Sequence, residues 1–355
     1  MKFKTQLPSL AVILILAAAI LSCSGSGATV SAPTPSQTTA EEILPGEPSQ
    51  PVPGVTENPV STEEPMETST ASPTEAATPS LTPEISASPS AQCEGEVCIQ
   101  DYPNLLLRPI GGEGRVTVDP SYRFGEFRKN SHYPNLGVEF LNSTGTPVIA
   151  AADGKVIVAG TDSQTAYARN LNEYGNLIIL EHHLTGMEEP IYTLYAHLSE
   201  ILVQVEDTVS AGQEIGKVGA TGNIRGSVLH FEVRVGENAY SAVRNPELWL
   251  ASGQDENGQA LGALAGQVSD KQGNILDIRN FVLERLDSSG QAVVGRTYLR
   301  TYGGESLWGK SPWRESFGIS DLTPGAYKLS FLLNGYQQRL INVEAGRITL
   351  ISIVQ

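Results

Sequence analysis

Residues 135–160 read NLGVEFLNSTGTPVIAAADGKVIVAG, and related patterns return in YGNLIILEH (174–182), LYAHLS (194–199), VSAGQEIGKVGATG (209–222) and GSVLHFEVR (226–234). Runs such as Pro147-Val148-Ile149-Ala150, Gly154 to Ala159 and Asn176 to Leu180 are rich in β-branched residues and bounded by glycine-containing turns, which is how short strands are written. Gly212, Gly216, Gly219 and Gly222 mark tight reversals where a positive φ or a close backbone approach is needed. The spacing predicts an all-β unit, a split barrel or sandwich. Lipoyl-carrier hairpins share the glycine pattern, but no lysine sits here at the tip of a symmetric hairpin.

Outward from this stretch, composition divides the chain into an address, a tether and two folded units. Two lysines in MKFKTQ precede an apolar run of twelve, Leu10 to Leu21, too short to span a bilayer comfortably. Residues 1–22 are expected to be a secretory signal peptide. The following Ile20-Leu21-Ser22-Cys23 resembles a lipobox, which implies that Cys23 is lipidated and anchors the chain to the membrane on its extracytoplasmic side; ordinary cleavage leaving a thiol is the alternative. Of the two remaining cysteines, Cys93 and Cys98, the even count in an oxidising compartment favours a disulfide over two free thiols.

Between Ser24 and Gln92 the sequence has no aromatic residue, lysine or arginine, and is dominated by Pro, Ser, Thr, Ala and Glu. Such a segment buries too little apolar surface to offset its conformational entropy, so residues 23–92 are expected to form a disordered tether. At about 3.1 Å per residue it reaches roughly 200 Å when fully stretched. Its glutamates supply more than half of the net charge of −16. The acidity therefore belongs mostly to the tether, and binding of nucleic acid is disfavoured.

The series from Asn135 to Arg234 resembles the lysostaphin/LytM-type peptidoglycan metallopeptidase family, in unbroken order. The resemblance places a peptidase-like domain at 93–254. Active members hold zinc with an H-x-x-x-D motif and the second histidine of H-x-H. The first histidine of H-x-H and that of a Y-x-H-L segment manage protons and oxyanion charge. Three protein ligands leave the fourth position to a water whose pKa the metal lowers.

Aligned through Gly137 and Gly145-Thr146-Pro147-Val148, the first motif here is Asn135 to Glu139. The ligand histidine has become Asn135, and Glu139 keeps a carboxylate with one methylene too many for the tolerance of metal bonds. Aligned through Gly226 and Phe231 to Arg234, the second motif is Val228-Leu229-His230, with the proton-managing histidine replaced by Val228. Period-2 alternation is expected to turn Val228 and His230 into the same groove. His197 is retained. His132 is a conceivable shifted ligand, His182 is expected to be structural, and His183 solvent-facing.

The segment 261–355 alternates apolar and polar residues between turn signals at Asp321, Pro324-Gly325, Asn334-Gly335 and Ala345-Gly346. It resembles a prealbumin-like/carboxypeptidase-regulatory-type sandwich of seven strands. Tyr302, Trp308 and Trp313 either stack on a sugar ring or pack the sandwich edge. Three functions follow. One is a lipoprotein whose degenerate groove binds peptidoglycan or a wall hydrolase, with no cofactor. A second is a zinc endopeptidase using Glu139, His230 and His132. The third is adhesion through the C-terminal sandwich. The paired loss at Asn135 and Val228 favours the first.

Overall fold

The computed structural model describes residues 91–127, 133–308 and 311–355. The expected signal peptide, Cys23, the tether up to residue 90 and His132 lie outside these residues. Among those described, regular structure consists of strands and short 3-10 turns, with no α-helix.

The chain enters as a hairpin of β1 (Gln92–Glu94) and β2 (Val97–Asp101), closed by a Cys93–Cys98 disulfide. The central region then contributes β3 (Val138–Phe140), β4 (Pro147–Ile149), β5 (Gly154–Thr161), β6 (Asn176–His182), β7 (Ile191–Ala196), β8 (Glu200–Ile201), β9 (Thr208–Val209), β10 (Glu214–Lys217), β11 (Leu229–Val235) and β12 (Val243–Arg244). These form a main sheet in the order β12-β11-β7-β6-β5-β9, with β3 added on β11, and a small sheet β4-β10-β8. The predicted glycines work as expected at the crossing between them. Gly222 takes φ 78°, while a Cβ on Gly219 would lie 2.3 Å from the backbone nitrogen of Ser199, an approach only glycine permits.

The C-terminal segment supplies seven strands: β13 (Gly262–Ser269), β14 (Phe281–Leu286), β15 (Val293–Leu299), β16 (Phe317–Leu322), β17 (Gly325–Leu332), β18 (Tyr336–Val343) and β19 (Arg347–Val354). One sheet runs β15-β14-β17-β18, and the other β1-β2-β19-β13-β16. Alternating residues of both, including Leu264, Phe317 and Ile353 from one and Phe281, Leu329 and Ile341 from the other, close a common apolar core.

Two sequence-based boundaries shift. Gln92, assigned to the tether, and residues 93–101, assigned to the start of the peptidase-like domain, form instead a hairpin whose β2 pairs with β19, because an otherwise open edge of the C-terminal sheet offers its backbone groups to it. Asp321, read as a turn, sits within β16 at φ 60°. Its carboxylate takes two hydrogen bonds from the Arg108 guanidinium, at 2.6 and 3.1 Å, and one from the backbone N–H of Val118.

The two halves do not stand apart. Ala263, Ala265, Tyr302 and Ile348 join Leu106, Phe140, Phe231 and Trp249 in one core. Between them, buried Glu247 pairs with Arg123 and accepts from the backbone and hydroxyl of Ser320. Tyr302 is buried edge-on to Phe124, the Trp308 indole donates to the Tyr302 carbonyl, and Trp313 packs edge-on to Trp249. Of the two expectations for these aromatics, edge packing is what their surroundings display; a buried Tyr302 has no face left for a sugar.

Candidate functional site

The site is built on β11, buried over nearly its whole length. His230, Glu232 and Arg234 alternate along it and so share one face. Antiparallel pairing with β3 sets Glu139 directly opposite His230, and pairing with β7 sets Ala196 on its other side. The loop before β3 must pass against this ring. A Cβ on Gly137 would lie 2.6 Å from both His230 Cε1 and the Phe231 carbonyl oxygen, so glycine is required there.

His230 is held at both ends. Its Nδ1 lies 3.0 Å from Glu139 Oε1 and its Nε2 lies 3.1 Å from Glu232 Oε1. The Tyr174 hydroxyl donates to Glu232 Oε1, and its ring stacks on His230 with centroids 5.5 Å apart. Arg234 donates to Glu232 Oε2 through Nε (2.9 Å) and Nη2 (2.7 Å), and is anchored in turn on Asn238 and the Tyr167 carbonyl. Burial alone would disfavour a charged His230, but the carboxylates of Glu139 and Glu232 outweigh it and push its pKa up to about 10. Burial likewise opposes ionisation of Glu232, yet Arg234, His230 and Tyr174 bring it down to about 2. The row is therefore an alternation of acidic and basic side chains, Glu139, His230, Glu232 and Arg234, in which the buried Glu139 Oε2 has no hydrogen-bond partner.

The other predicted positions arrange themselves around this row. His197 follows β7 at φ 65°, with Nδ1 2.9 Å from the Thr221 carbonyl oxygen and its ring centroid 5.8 Å from that of His230. Asn135 is buried, and its side chain serves the loop: Nδ2 donates to the Tyr122 carbonyl (3.2 Å) and Oδ1 accepts from the Gly137 N–H (3.3 Å). Asn135, Glu139, His197 and His230 all line one groove of about 380 Å³, together with Glu232, Tyr174 and a wall that includes Arg169, Tyr133 and Tyr240. Val228 does not line it. It bridges Gly219 directly before β11 and lines an adjoining cavity that shares Tyr122, Glu139 and Ile224 with the groove. His182 is buried, with Nδ1 2.8 Å from the Asp153 carbonyl oxygen and Nε2 2.7 Å from the Thr193 hydroxyl, and desolvation lowers its pKa to about 4. His183 is exposed beside Glu181.

Glu232, Arg234 and Tyr174 were not singled out in the sequence. Alternation from His230 would have flagged the first two; Tyr174 comes from a loop and carries no sequence signal of its own. As arranged, the donor set does not fit a zinc ion. Both ring nitrogens of His230 lie within hydrogen-bonding distance of carboxylate oxygens, so neither is directed at an open metal position. The Asn135 amide is spent on backbone groups. Among the described residues, no three His, Cys, Asp or Glu side chains are gathered as a metal cluster. What the arrangement offers chemically is a polar groove with a fixed, charge-balanced floor.

The sequence from residue 133 to 242 matches the model of peptidase family M23. Residues 133–242 form a peptidase M23 domain. Its relatives include the peptidoglycan DD-endopeptidase ShyB of Vibrio cholerae, 36% identical over 140 residues, covering 37% of this chain and 29% of the relative. The murein hydrolase activator NlpD of Escherichia coli is 38% identical over 100 residues, covering 28% of this chain and 23% of the relative. The chain thus spans less than a third of the length of these curated relatives. Among solved structures, the catalytic domain of lysostaphin from Staphylococcus simulans is similar at 32% identity, covering 35% of this chain and 86% of that one, with a TM-score of 0.31. Asn135, Glu139, Arg169, Tyr174, His197, His230, Glu232 and Tyr240 of the groove all lie within this domain.

Proposed function

We infer that this chain is an extracytoplasmic lipoprotein, anchored through Cys23, whose M23 domain is a non-catalytic module that binds wall peptides or a wall hydrolase. The observation that carries this reading is the two-ended clamp on His230: the imidazole that would coordinate metal has both of its nitrogens against carboxylates, those of Glu139 and Glu232. The replacements at Asn135 and Val228 support it, since one position spends its amide on the loop and the other holds a side chain that can neither accept a proton nor donate a hydrogen bond. Similarity to a murein hydrolase activator is in keeping with it. The tether between Cys23 and the folded residues gives the module its reach, and the C-terminal sandwich with its N-terminal hairpin stabilises it.

Similarity to a DD-endopeptidase favours a second reading, a zinc enzyme with a variant ligand set. Metal content by mass spectrometry decides between them. The protein is purified without a histidine tag, equilibrated with excess zinc and dialysed. Substoichiometric zinc, with retention of wall fragments or stimulation of a purified wall hydrolase, is the expected result. About one zinc per chain together with cleavage of cross-linked stem peptides would overturn it.

A further inference from the structure

The groove has a second charged feature, on its wall and away from the His230 clamp. Arg169 Cζ lies 3.2 Å from the centroid of the Tyr133 ring and 5.9 Å from that of Tyr240. All three side chains line the groove, and Arg169 is exposed. Other arginines of the chain are matched to carboxylates, as Arg108 is to Asp321, Arg123 to Glu247, Arg234 to Glu232 and Arg296 to Glu284. Arg169 makes no salt bridge among the described residues. The acids nearest to hand are already engaged: Glu139 and Glu232 face His230, and the Glu173 carboxylate accepts from the Asn170 amide at 2.5 Å.

A guanidinium lying over an aromatic ring is held by its face, and although Arg169 also hydrogen-bonds the Tyr240 hydroxyl, its other in-plane N–H groups remain for a ligand. Because the rings already restrict it, less rotamer freedom is lost when it binds. The group that matches such a fork with two parallel hydrogen bonds is a carboxylate. We propose that Arg169 reads the terminal carboxylate of a peptide lying in the groove, so that the M23 domain selects peptides with a free carboxyl end over amidated ones. This rests on the reading of the groove as a peptide-binding site and adds the chemistry that it selects.

The test is calorimetric titration of the protein with Nα,Nε-diacetyl-L-Lys-D-Ala-D-Ala, whose only charge is the terminal carboxylate, and with its C-terminal amide. Wild type is expected to bind the acid at least roughly tenfold more tightly than the amide, as for a hydrogen-bonded charge. Arg169→Ala is expected to bind the acid as weakly as wild type binds the amide, and Arg169→Lys to keep part of the preference. Unchanged melting temperatures confirm that the variants fold. Equal affinity of wild type for the two probes overturns the proposal while leaving the peptide-binding reading intact. So does an equal loss for both probes in Arg169→Ala, which would make the residue part of the wall only. Binding of neither probe by wild type overturns the peptide-binding reading itself, and the role of Arg169 with it.

Discussion

His230 shows how a single side chain changes its work when its neighbours change. Its ring lies between two buried carboxylates, and removing it in His230→Ala would leave Glu139 and Glu232 facing each other without the cation between them. Loss of one partner from a buried charged set costs about 3–5 kcal/mol, so the urea midpoint of this variant is expected to fall accordingly. A chelator is expected to leave the wild-type midpoint where it is, and the same urea titration with and without chelator checks both. His182 makes the opposite case, a buried histidine kept neutral. Its folded pKa of about 4 lies below its ordinary value of 6.5, so the unfolded chain binds more protons between those limits. Stability is therefore expected to be lost as pH falls from about 6.5 to about 4, by roughly 3 kcal/mol, and to be insensitive to this group above that window. The pH dependence of the urea midpoint, flatter in His182→Gln, tests the assignment.

At the scale of elements, the pairing of β3 with β11 makes the site. Register alone puts Glu139 opposite His230, and it holds because the chain before β3 passes His230 and the Phe231 carbonyl at a distance only glycine allows. Gly137→Ala is expected to push β3 away from β11 and cost about 1–3 kcal/mol, as for other overpacked positions. The loss of stability should come with a change in the His230 ring resonances, observable by NMR; a stability loss with unchanged resonances would separate the glycine from the site. The motif positions in this element were legible in the sequence. Their new partners were not, since Tyr174 and Arg169 reach the groove from a loop with no periodicity to follow.

At the scale of the molecule, the half that contains the M23 domain and the C-terminal sandwich are joined by a shared core and by buried charge. Glu247 touches both sides, through Arg123 and through Ser320, while Arg108 of the first half grips Asp321 of the second. The two halves are expected to unfold in a single calorimetric transition. Glu247→Ala, which strands Arg123 in the interior, is expected to lower that one transition by the equivalent of about 3–5 kcal/mol rather than split it. Two separated transitions in the wild type would show that the halves are independent. Residues 92–101 extend this coupling, because their hairpin is itself part of the C-terminal sheet.

The chain's order of short β-branched runs and glycines determined an all-β architecture, and the motif spacing determined where the groove residues fall, because alternation and turn chemistry are local properties that need no partner. Composition likewise separated the acidic, proline-rich segment from the folded residues. The tertiary structure decided the rest. It decided that β1 and β2 belong to the far sandwich, and that Glu232, Tyr174 and Arg234 complete the charge row around His230. These are contacts between residues distant in sequence, and they exist only once register and packing have brought the elements together.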